Sequence, residues 1–530
     1  MHCRVPMARS AHALAERDLA VTPPTKTTSS PRKATRREWL GLIAIAVPCM
    51  IYSMDLTVLN LAVPTLTRDL QPSAGQLLWI IDIYGFMVAG FLMTMGTLGD
   101  RIGRRKLLLI GAAAFGIAST VAAFSTSIEM LIVMRALLGI AGATLAPSTL
   151  SLIAVMFEDE TERTFAISMW IASFSAGAVI GPLVGGVLIE YFWWGSVFLI
   201  AVPPMLLLLL IGPVLLPEYK APQAGRLDLA SAVLSLAAIL PVIYGVKHWA
   251  ESGLSAAAIA AIAAGLGLGL AFVRRQRRLA DPMVDLALFG IPAFRAALAI
   301  NLAGIMVMFG SFIFLAQYFQ LVAGLTPLEA GIWSLPSAIA FTVASFGVTP
   351  LTVRFRPAML MAAGMLLSAL GFVGLAVASG LVQIVAASIV FSVGFTPVIA
   401  LTTGIVVGSA PQERVGAASA MSETSAELGG ALGVAIFGSL GAALYRHRMA
   451  DVSVAGFDGA ALAPARSTLG GALAAAERLP PDQQAHLLQA ARDAFMAGFH
   501  AVALIAIAGM VFCIAVALTT LRDARPSGAH

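Results

Sequence analysis

The feature that most constrains this chain is a series of long, nearly uncharged apolar runs. Fourteen such runs recur along 530 residues, of which 59% are hydrophobic and only 12% are charged. A helix needs about 20 apolar residues to cross the hydrocarbon core of a bilayer. The runs are continuous rather than alternating, which argues against a membrane β-barrel. The sequence therefore predicts an all-α polytopic membrane protein with fourteen transmembrane helices.

The predicted spans are separated by mostly short loops. They cover residues 39–62, 76–97, 107–125, 129–156, 164–189, 193–216, 228–247, 255–273, 296–320, 327–349, 358–379, 383–408, 415–444 and 497–521.

Lysine and arginine are distributed unequally between the alternating loops. Basic clusters such as 101–106 and 274–278 fall on the side of the N-terminus, whereas the opposite loops hold few basic residues outside segment 445–496. Because basic loops stay in the cytoplasm, both termini are predicted to be cytoplasmic, in a bacterial-type cytoplasmic (inner) membrane. The net charge of +5 is thus a topological signal and does not indicate nucleic-acid binding.

An internal repeat divides the chain. The segment ERTFAIS at 162–168 recurs as ERVGAAS at 413–419, 251 residues later. The first six spans therefore match the last six, with two spans inserted between them. This pattern predicts two pseudo-symmetric six-helix bundles that face each other across a central cavity, as in many secondary transporters.

The repeat and the loops predict five regions. They are a disordered cytoplasmic tail (1–37), a first bundle (38–217), two inserted helices with cytoplasmic linkers (218–292), a second bundle (293–525) that includes a long outer loop (445–496), and a cytoplasmic tail (526–530). In the outer loop, Pro481 and Asp482 resemble a helix start, and an amphipathic helical hairpin is expected there. A surface loop without fixed structure is the alternative.

Five ionisable residues lie well inside predicted spans, away from the span ends: Asp55, Asp82, Arg135, Glu423 and Glu427. A charge at bilayer depth costs about 2.5–3.5 kcal/mol, so such residues are functional candidates. Helical rise places the first three in the outer half of the first bundle, where they can form one charged cluster. The two glutamates are four residues apart and share a helix face.

These residues are the candidates for proton coupling and for binding a lipophilic cation. A carboxylate in an apolar cavity can be neutralised by a proton or by a cation, and the two compete. Three alternatives remain open. The first three residues can be a purely structural ion-pair network, one glutamate can be a hydrated vestibule residue, and Arg135 can be a fixed counter-charge, since arginine does not release its proton.

Two glycine-rich motifs are candidates for gating. The loop between spans two and three contains Gly96, Asp100, Arg101, Gly103 and Arg104. It predicts a charged cytoplasmic latch between helices that move, and a plain basic turn is the alternative.

The second motif, in span five, places Gly177, Gly181 and Gly185 at four-residue intervals, with Pro182 between them. This forms a stripe where another helix can approach closely, and ordinary glycine packing would produce the same stripe. No GxxxxGK[ST] phosphate-binding loop occurs in the sequence, which disfavours ATP-driven pumping by this chain alone. No cysteine spacing suggests a metal site.

At these motifs the chain resembles the major facilitator superfamily. GTLGDRIGRRK is similar to the loop 2–3 signature, LIVMRALLGIAG to the span-four signature, and SAGAVIGPLVGG to the span-five antiporter signature. MDLTVLNLAVP resembles the first-span motif of drug:proton antiporters. Fourteen spans place the resemblance in the DHA2 branch, and WIIDIYGFMVAGF and SETSAELGG resemble its QacA/SmvA type.

The resemblance implies a proton-coupled antiporter, not an enzyme, that exports quaternary ammonium antiseptics, cationic dyes and viologens from the cytoplasm. It implies roles for Asp55, Asp82, Glu423 and Glu427 in proton coupling or cation recognition, and for Arg135 in proton transfer. Two departures from the family pattern, Ser422 before Glu423 and no acid within span ten beyond Glu329 at its edge, lead us to expect mostly monovalent cations. Export of neutral or anionic amphiphiles is the alternative. The expected partners are cationic small molecules, protons and lipid. A monomer without nucleic acid, metal or cofactor, driven by the proton gradient, is expected.

Overall fold

The protein is helical throughout the part of the chain described by the computed structural model, which comprises residues 33–220, 228–253, 255–279, 282–410, 415–452 and 462–522. Most of the predicted N-terminal tail and the whole of the tail at 526–530 lie outside these residues, as does the start of the second repeat segment.

The first half of the chain forms ten α-helices within the described residues. They are α1 (Arg36–Leu70), α2 (Ala74–Ile102), α3 (Arg104–Ala123), α4 (Ile128–Gly142), α5 (Leu145–Met156), α6 (Glu160–Tyr191), α7 (Ser196–Leu199), α8 (Val202–Leu215), α9 (Leu229–Ser252) and α10 (Ala256–Gln276).

The second half adds eight more in the same described part. They are α11 (Pro292–Gln317), α12 (Pro327–Arg354), α13 (Pro357–Val377), α14 (Leu381–Gly408), α15 (Val415–Met449), α16 (Ala463–Ser467), α17 (Leu469–Ala476) and α18 (Pro481–Thr520). A 3₁₀ turn (Leu286–Gly290) precedes α11 and a π turn (Tyr318–Val322) follows it.

The prediction of fourteen spans is confirmed. Fourteen helical segments in the described residues are long and apolar enough to cross a membrane. Span four is made of α4 and α5 together, and span six of α7 and α8 together. The protein is therefore a multi-pass membrane protein.

The spans form two bundles. In the first, α1 packs along α6, α2 and α3 pack on α4, and α3 packs on α8. In the second, α11 packs along α15, and α13 packs between α14 and α18. The bundles meet where α2 contacts α15 and where α6 contacts α12.

The two inserted helices form a hairpin on the outside of this contact. Helix α9 packs against α2 of one bundle and α15 of the other, and α10 packs mainly on α9. Asp228 caps α9, and Arg275 of α10 donates to its carboxylate at 2.8 Å. Burial raises the pKa of Asp228, but hydrogen bonds from Ser231 and Arg275 outweigh it and leave the pKa below its usual range.

The region predicted as a long outer loop is largely helical. Helix α15 extends to Met449, and the short helices α16 and α17 follow residues 453–461, which lie outside the described part. The helix start predicted at Pro481 is observed. That helix continues as α18 to Thr520 and so extends the last span, and the short helix α17 packs on it. The sequence of α18 contains no proline after Pro481 to interrupt it.

The bundles touch at the membrane face opposite the start of α1 and the end of α18. The Gln320 side chain donates to the Leu61 carbonyl at 3.0 Å, and the Leu328 amide donates to Glu190 at 3.1 Å. Near them, a Cβ added to Gly331 would lie 2.5 Å from the carbonyl oxygen of Pro182. The helices are therefore in backbone contact at this end, which we call the closed end.

Candidate functional site

The first ion pair lies inside the first bundle. Asp55 of α1 accepts a hydrogen bond from Nη1 of Arg135 of α4 at 2.5 Å, and the arginine is only 1% exposed. Arg135 also donates to the carbonyls of Ile80 and Ile81 at 3.1 and 3.4 Å. Its guanidinium lies 4.6 Å from the ring centroid of Tyr84. This arginine therefore ties α1, α2 and α4 together.

Asp55 faces away from the space between the bundles. It lines a small gap between α1 and the span formed by α7 and α8, beside Val197 and Phe198. It is not among the described residues that line the central cavity. The role of Asp55 in proton coupling stays a prediction, and this placement gives no support to its role in binding substrate.

Asp82 does not join the Asp55–Arg135 pair. Its two carboxylate oxygens lie 3.0 and 2.8 Å from Nζ of Lys247 of α9, and both side chains are almost fully buried. The Lys247 ammonium also lies 3.9 Å from the ring centroid of Trp79. The expected cluster of three charges is thus two separate ion pairs.

Lys247 is a functional candidate that the sequence analysis did not single out, because it stands at the last position of the predicted span 228–247. It lies inside α9, which continues to Ser252 before Gly253, with φ +78°, ends it. The signal was present in the sequence, since no glycine or proline separates Lys247 from Gly253. The predicted span ended too early because the polar run after it was taken as a loop.

The second bundle contributes Glu427. Its carboxylate accepts a hydrogen bond at 2.5 Å from the hydroxyl of Tyr52 on α1, across the interface between the bundles. Glu423 lies one turn nearer the termini and is exposed. Neither glutamate has a basic partner among the described residues. The two carboxylates lie one turn apart on α15, and that of Glu427 reaches the bundle interface.

A central cavity of about 310 Å³ lies between the bundles. Asp82, Arg135 and Glu427 are the charged residues that line it. The other lining residues are mostly apolar and include Phe174, Phe309 and Phe341. A second cavity of about 180 Å³ shares Ser53, Asn60, Met308, Phe309 and Phe341 with it and extends along α12 with serine and threonine side chains.

The loop between α2 and α3 is held within the first bundle. Arg104 donates to Asp100 at 2.6 Å and to the Pro147 carbonyl at 3.3 Å, while Arg101 is exposed. Gly103 has φ +116°, and a Cβ there would lie 2.4 Å from a carboxylate oxygen of Glu218. A Cβ added to Gly96 would lie 3.8 Å from Cβ of Pro147, an ordinary van der Waals distance. In this conformation the predicted latch joins parts of one bundle.

The span-five glycines pack directly on α1. Added Cβ atoms would lie 2.2 Å from the Met50 carbonyl oxygen at Gly177, 2.5 Å from Oγ1 of Thr57 at Gly181, and 2.6 Å from Val58 at Gly185. The predicted close approach of another helix is therefore observed, and the partner is the helix that carries Asp55. Pro182, on the same helix, contacts Gly331 of the second bundle.

The described part of the chain contains no cluster of histidine, cysteine, aspartate or glutamate able to hold a metal ion. The side chains that the structure brings together at the site are carboxylates, a phenol, an arginine, a lysine and aromatic rings.

Comparison with known proteins agrees with this architecture. The Major Facilitator Superfamily model matches residues 46–434. The multidrug efflux pump LfrA of Mycolicibacterium smegmatis is 43% identical over 90% of this chain and 95% of its own. The methyl viologen resistance protein SmvA of Salmonella typhimurium is 39% identical over 91% of this chain and 98% of its own.

Solved structures agree on the fold. A bacterial homolog of the human lysosomal transporter Spinster has a TM-score of 0.68 at 17% identity, over 94% of this chain and all of its own. The peptide transporter POT has a TM-score of 0.61 at 16% identity, over 91% and 95% of the two chains. The predicted resemblance is confirmed: the chain belongs to the major facilitator superfamily and groups there with multidrug efflux transporters.

Proposed function

We propose that this transporter exports lipophilic organic cations in exchange for protons. The observation that carries the proposal is the charge of the central cavity. Asp55 is neutralised by Arg135 and Asp82 by Lys247, which leaves Glu427 as the cavity carboxylate without a basic partner among the described residues. Its apolar and aromatic surroundings suit a hydrophobic cation.

Exchange follows from competition for this carboxylate. An uncompensated charge in an apolar cavity is costly, so Glu427 is neutralised either by a proton or by a bound cation. The phenol of Tyr52 donates to the carboxylate and would hold it in one position in either state. Binding of a cation then expels the proton, and the coupling between the two ligands is reciprocal.

The proposed orientation places both termini in the cytoplasm, in an inner membrane of bacterial type. An even number of spans puts the termini on one side, and the basic loops share that side. With this orientation the closed end faces outward. Glu423 then lies on the cytoplasmic approach to Glu427 and would attract cations from the cytoplasm. We propose that the protein works as a monomer, without a cofactor.

The relatives support the same substrate class. One of them is a methyl viologen resistance protein. Viologens are organic cations with two positive charges, so this relative supports the class of organic cations and not the number of charges. Export of neutral or anionic amphiphiles is the less supported function, since the buried Lys247 that could attract an anion is already paired with Asp82.

Dye transport in proteoliposomes tests the proposal. An imposed proton gradient should drive ethidium against its concentration gradient, in the direction opposite to proton flow, and a protonophore should abolish this transport. Glu427→Gln should abolish uphill transport too. Ethidium transport against its concentration gradient that persists after the proton gradient is collapsed, or transport of anionic dyes alone, would contradict the proposal.

A further inference from the structure

We infer that Lys247 is a specificity-determining residue, which withholds the Asp82 carboxylate from substrate and so sets the cavity to recognise cations with one charge. The inference rests on the proposed export of organic cations. It concerns a contact between the inserted helix α9 and the first bundle.

The position of Asp82 makes it a potential second cation site. Asp82 and Gly85 lie one turn apart on α2, and both line the central cavity. Glu427 and Ala431 line the adjoining wall on α15. The two helices are in contact there, since a Cβ at Gly85 would lie 3.1 Å from that of Ala431. Carboxylates from both bundles thus border one cavity.

Lys247 of α9 forms an ion pair with Asp82 on the side of α2 that faces away from the cavity. Its Nζ donates a hydrogen bond to Oδ1 of Asp82 at 3.0 Å and lies 2.8 Å from Oδ2, which accepts no hydrogen bond from the described residues. The negative charge of the carboxylate is therefore already compensated, and it attracts a substrate ammonium group less strongly. The Asp82 side chain is 0% exposed. Lys247 is not among the residues that line the cavity, so the pair is formed on the side of α9.

Helix α9 is fixed in a position that maintains this contact. Ile243, one turn before Lys247, packs with Phe86, Ala431 and Ala435 in the seam between α2 and α15. The face of Trp79 provides a second partner for the ammonium. The Lys247 ammonium is therefore a permanent counter-ion of Asp82. It cancels one of the negative charges that the carboxylates bring to the cavity.

The consequence is a preference among cations. A dication could use both Glu427 and Asp82, but Lys247 leaves it only one of them. Removal of the ammonium should expose the second carboxylate to the cavity. The relative affinity for dications should then rise, while the affinity for monocations should change much less.

Ethidium and propidium provide matched probes, because they share one phenanthridinium ring and propidium adds a quaternary ammonium group. Binding of each dye to purified full-length protein in detergent gives an affinity ratio. Lys247→Met should raise the ratio of propidium to ethidium affinity by about tenfold, the effect of one hydrogen-bonded charge. Lys247→Arg should keep the parental ratio.

The double variant Asp82→Asn/Lys247→Met distinguishes the effect of the exposed Asp82 charge from the effect of added cavity volume. It removes both charges and should return the ratio to the parental value. A ratio within about twofold of the parent in folded Lys247→Met, a small change in free energy, would overturn the inference. So would a raised ratio that persists in the double variant, since the gain would then come from added volume.

If Lys247→Met does not fold, Asp82→Asn provides the opposite test. It leaves the Lys247 ammonium beside Trp79 without a carboxylate partner. The ratio of propidium to ethidium affinity should then fall below that of the parent, because the uncompensated ammonium repels the second charge of propidium. An unchanged ratio in that variant would overturn the inference. A parent protein that binds neither dye would instead contradict the proposed function itself.

Discussion

The carboxylates of Asp55, Asp82 and Glu427 each have a different kind of partner. The first is paired with a guanidinium, the second with an ammonium, and the third with a phenol. Arginine keeps its proton in proteins, so the guanidinium is a permanent charge. The phenol of Tyr52 is neutral, so the negative charge of the Glu427 carboxylate has no positively charged partner there. These differences divide the residues into a fixed pair, a withheld carboxylate and an available carboxylate.

The placement of Asp55 predicts a separation of coupling from binding. Asp55→Asn should abolish uphill ethidium transport in proteoliposomes but leave ethidium affinity within about twofold of the parent, because the residue does not line the cavity. It should also lower the free energy of unfolding by about 3–5 kcal/mol, since it leaves buried Arg135 unpaired. Asp69→Asn, an exposed position at the end of the same helix, is the control. Retained uphill transport in Asp55→Asn would contradict the coupling role.

At the scale of elements, the contact between α1 and α6 positions this pair. The glycines of α6 contact Met50, Thr57 and Val58, which lie on either side of Asp55 along α1. Close packing of this kind takes the place of the hydrophobic effect between helices in lipid. Any side chain larger than hydrogen at these glycines would push α1 away from α6 and disturb the carboxylate.

Gly177→Val should therefore destabilise the protein. The new side chain would meet the Met50 carbonyl, a backbone atom that cannot rotate away, and overpacking costs about 1–3 kcal/mol or more. A lower thermal unfolding midpoint in detergent, with reduced ethidium transport, is expected. The control is Gly267→Val on α10, where no atom lies within 4 Å of an added Cβ. Equal midpoints for the two variants would show that the glycine stripe has no packing role.

At the scale of the whole molecule, the spans were predictable because bilayer thickness fixes their length and composition. The glycine stripe was predictable because its spacing matches the helical repeat. The pairing of Asp82 with Lys247 was not predictable, because it depends on how an inserted helix outside the repeat packs against α2. The continuity of α18 was missed for a related reason, since its polar first half reads as loop when only apolar runs are counted.

The same limit applies to the cavity. Depth along a helix can be estimated from sequence, but rotation about the helix axis decides whether a side chain faces the cavity. Asp55 and Asp82 were placed in one cluster by depth alone. In the structure the helices are rotated so that Asp55 faces α7 and α8, whereas Asp82 faces α9.

The central claim is that a cation and a proton compete for Glu427. Proton release on ethidium binding tests it most directly, measured with a pH indicator in weakly buffered detergent solution. The parent protein should release protons as ethidium saturates it. Glu423→Gln, the exposed neighbour on the same helix face, should retain most of this release, and Glu427→Gln should lose it. Ethidium binding without proton release, or undiminished release from Glu427→Gln, would contradict the claim.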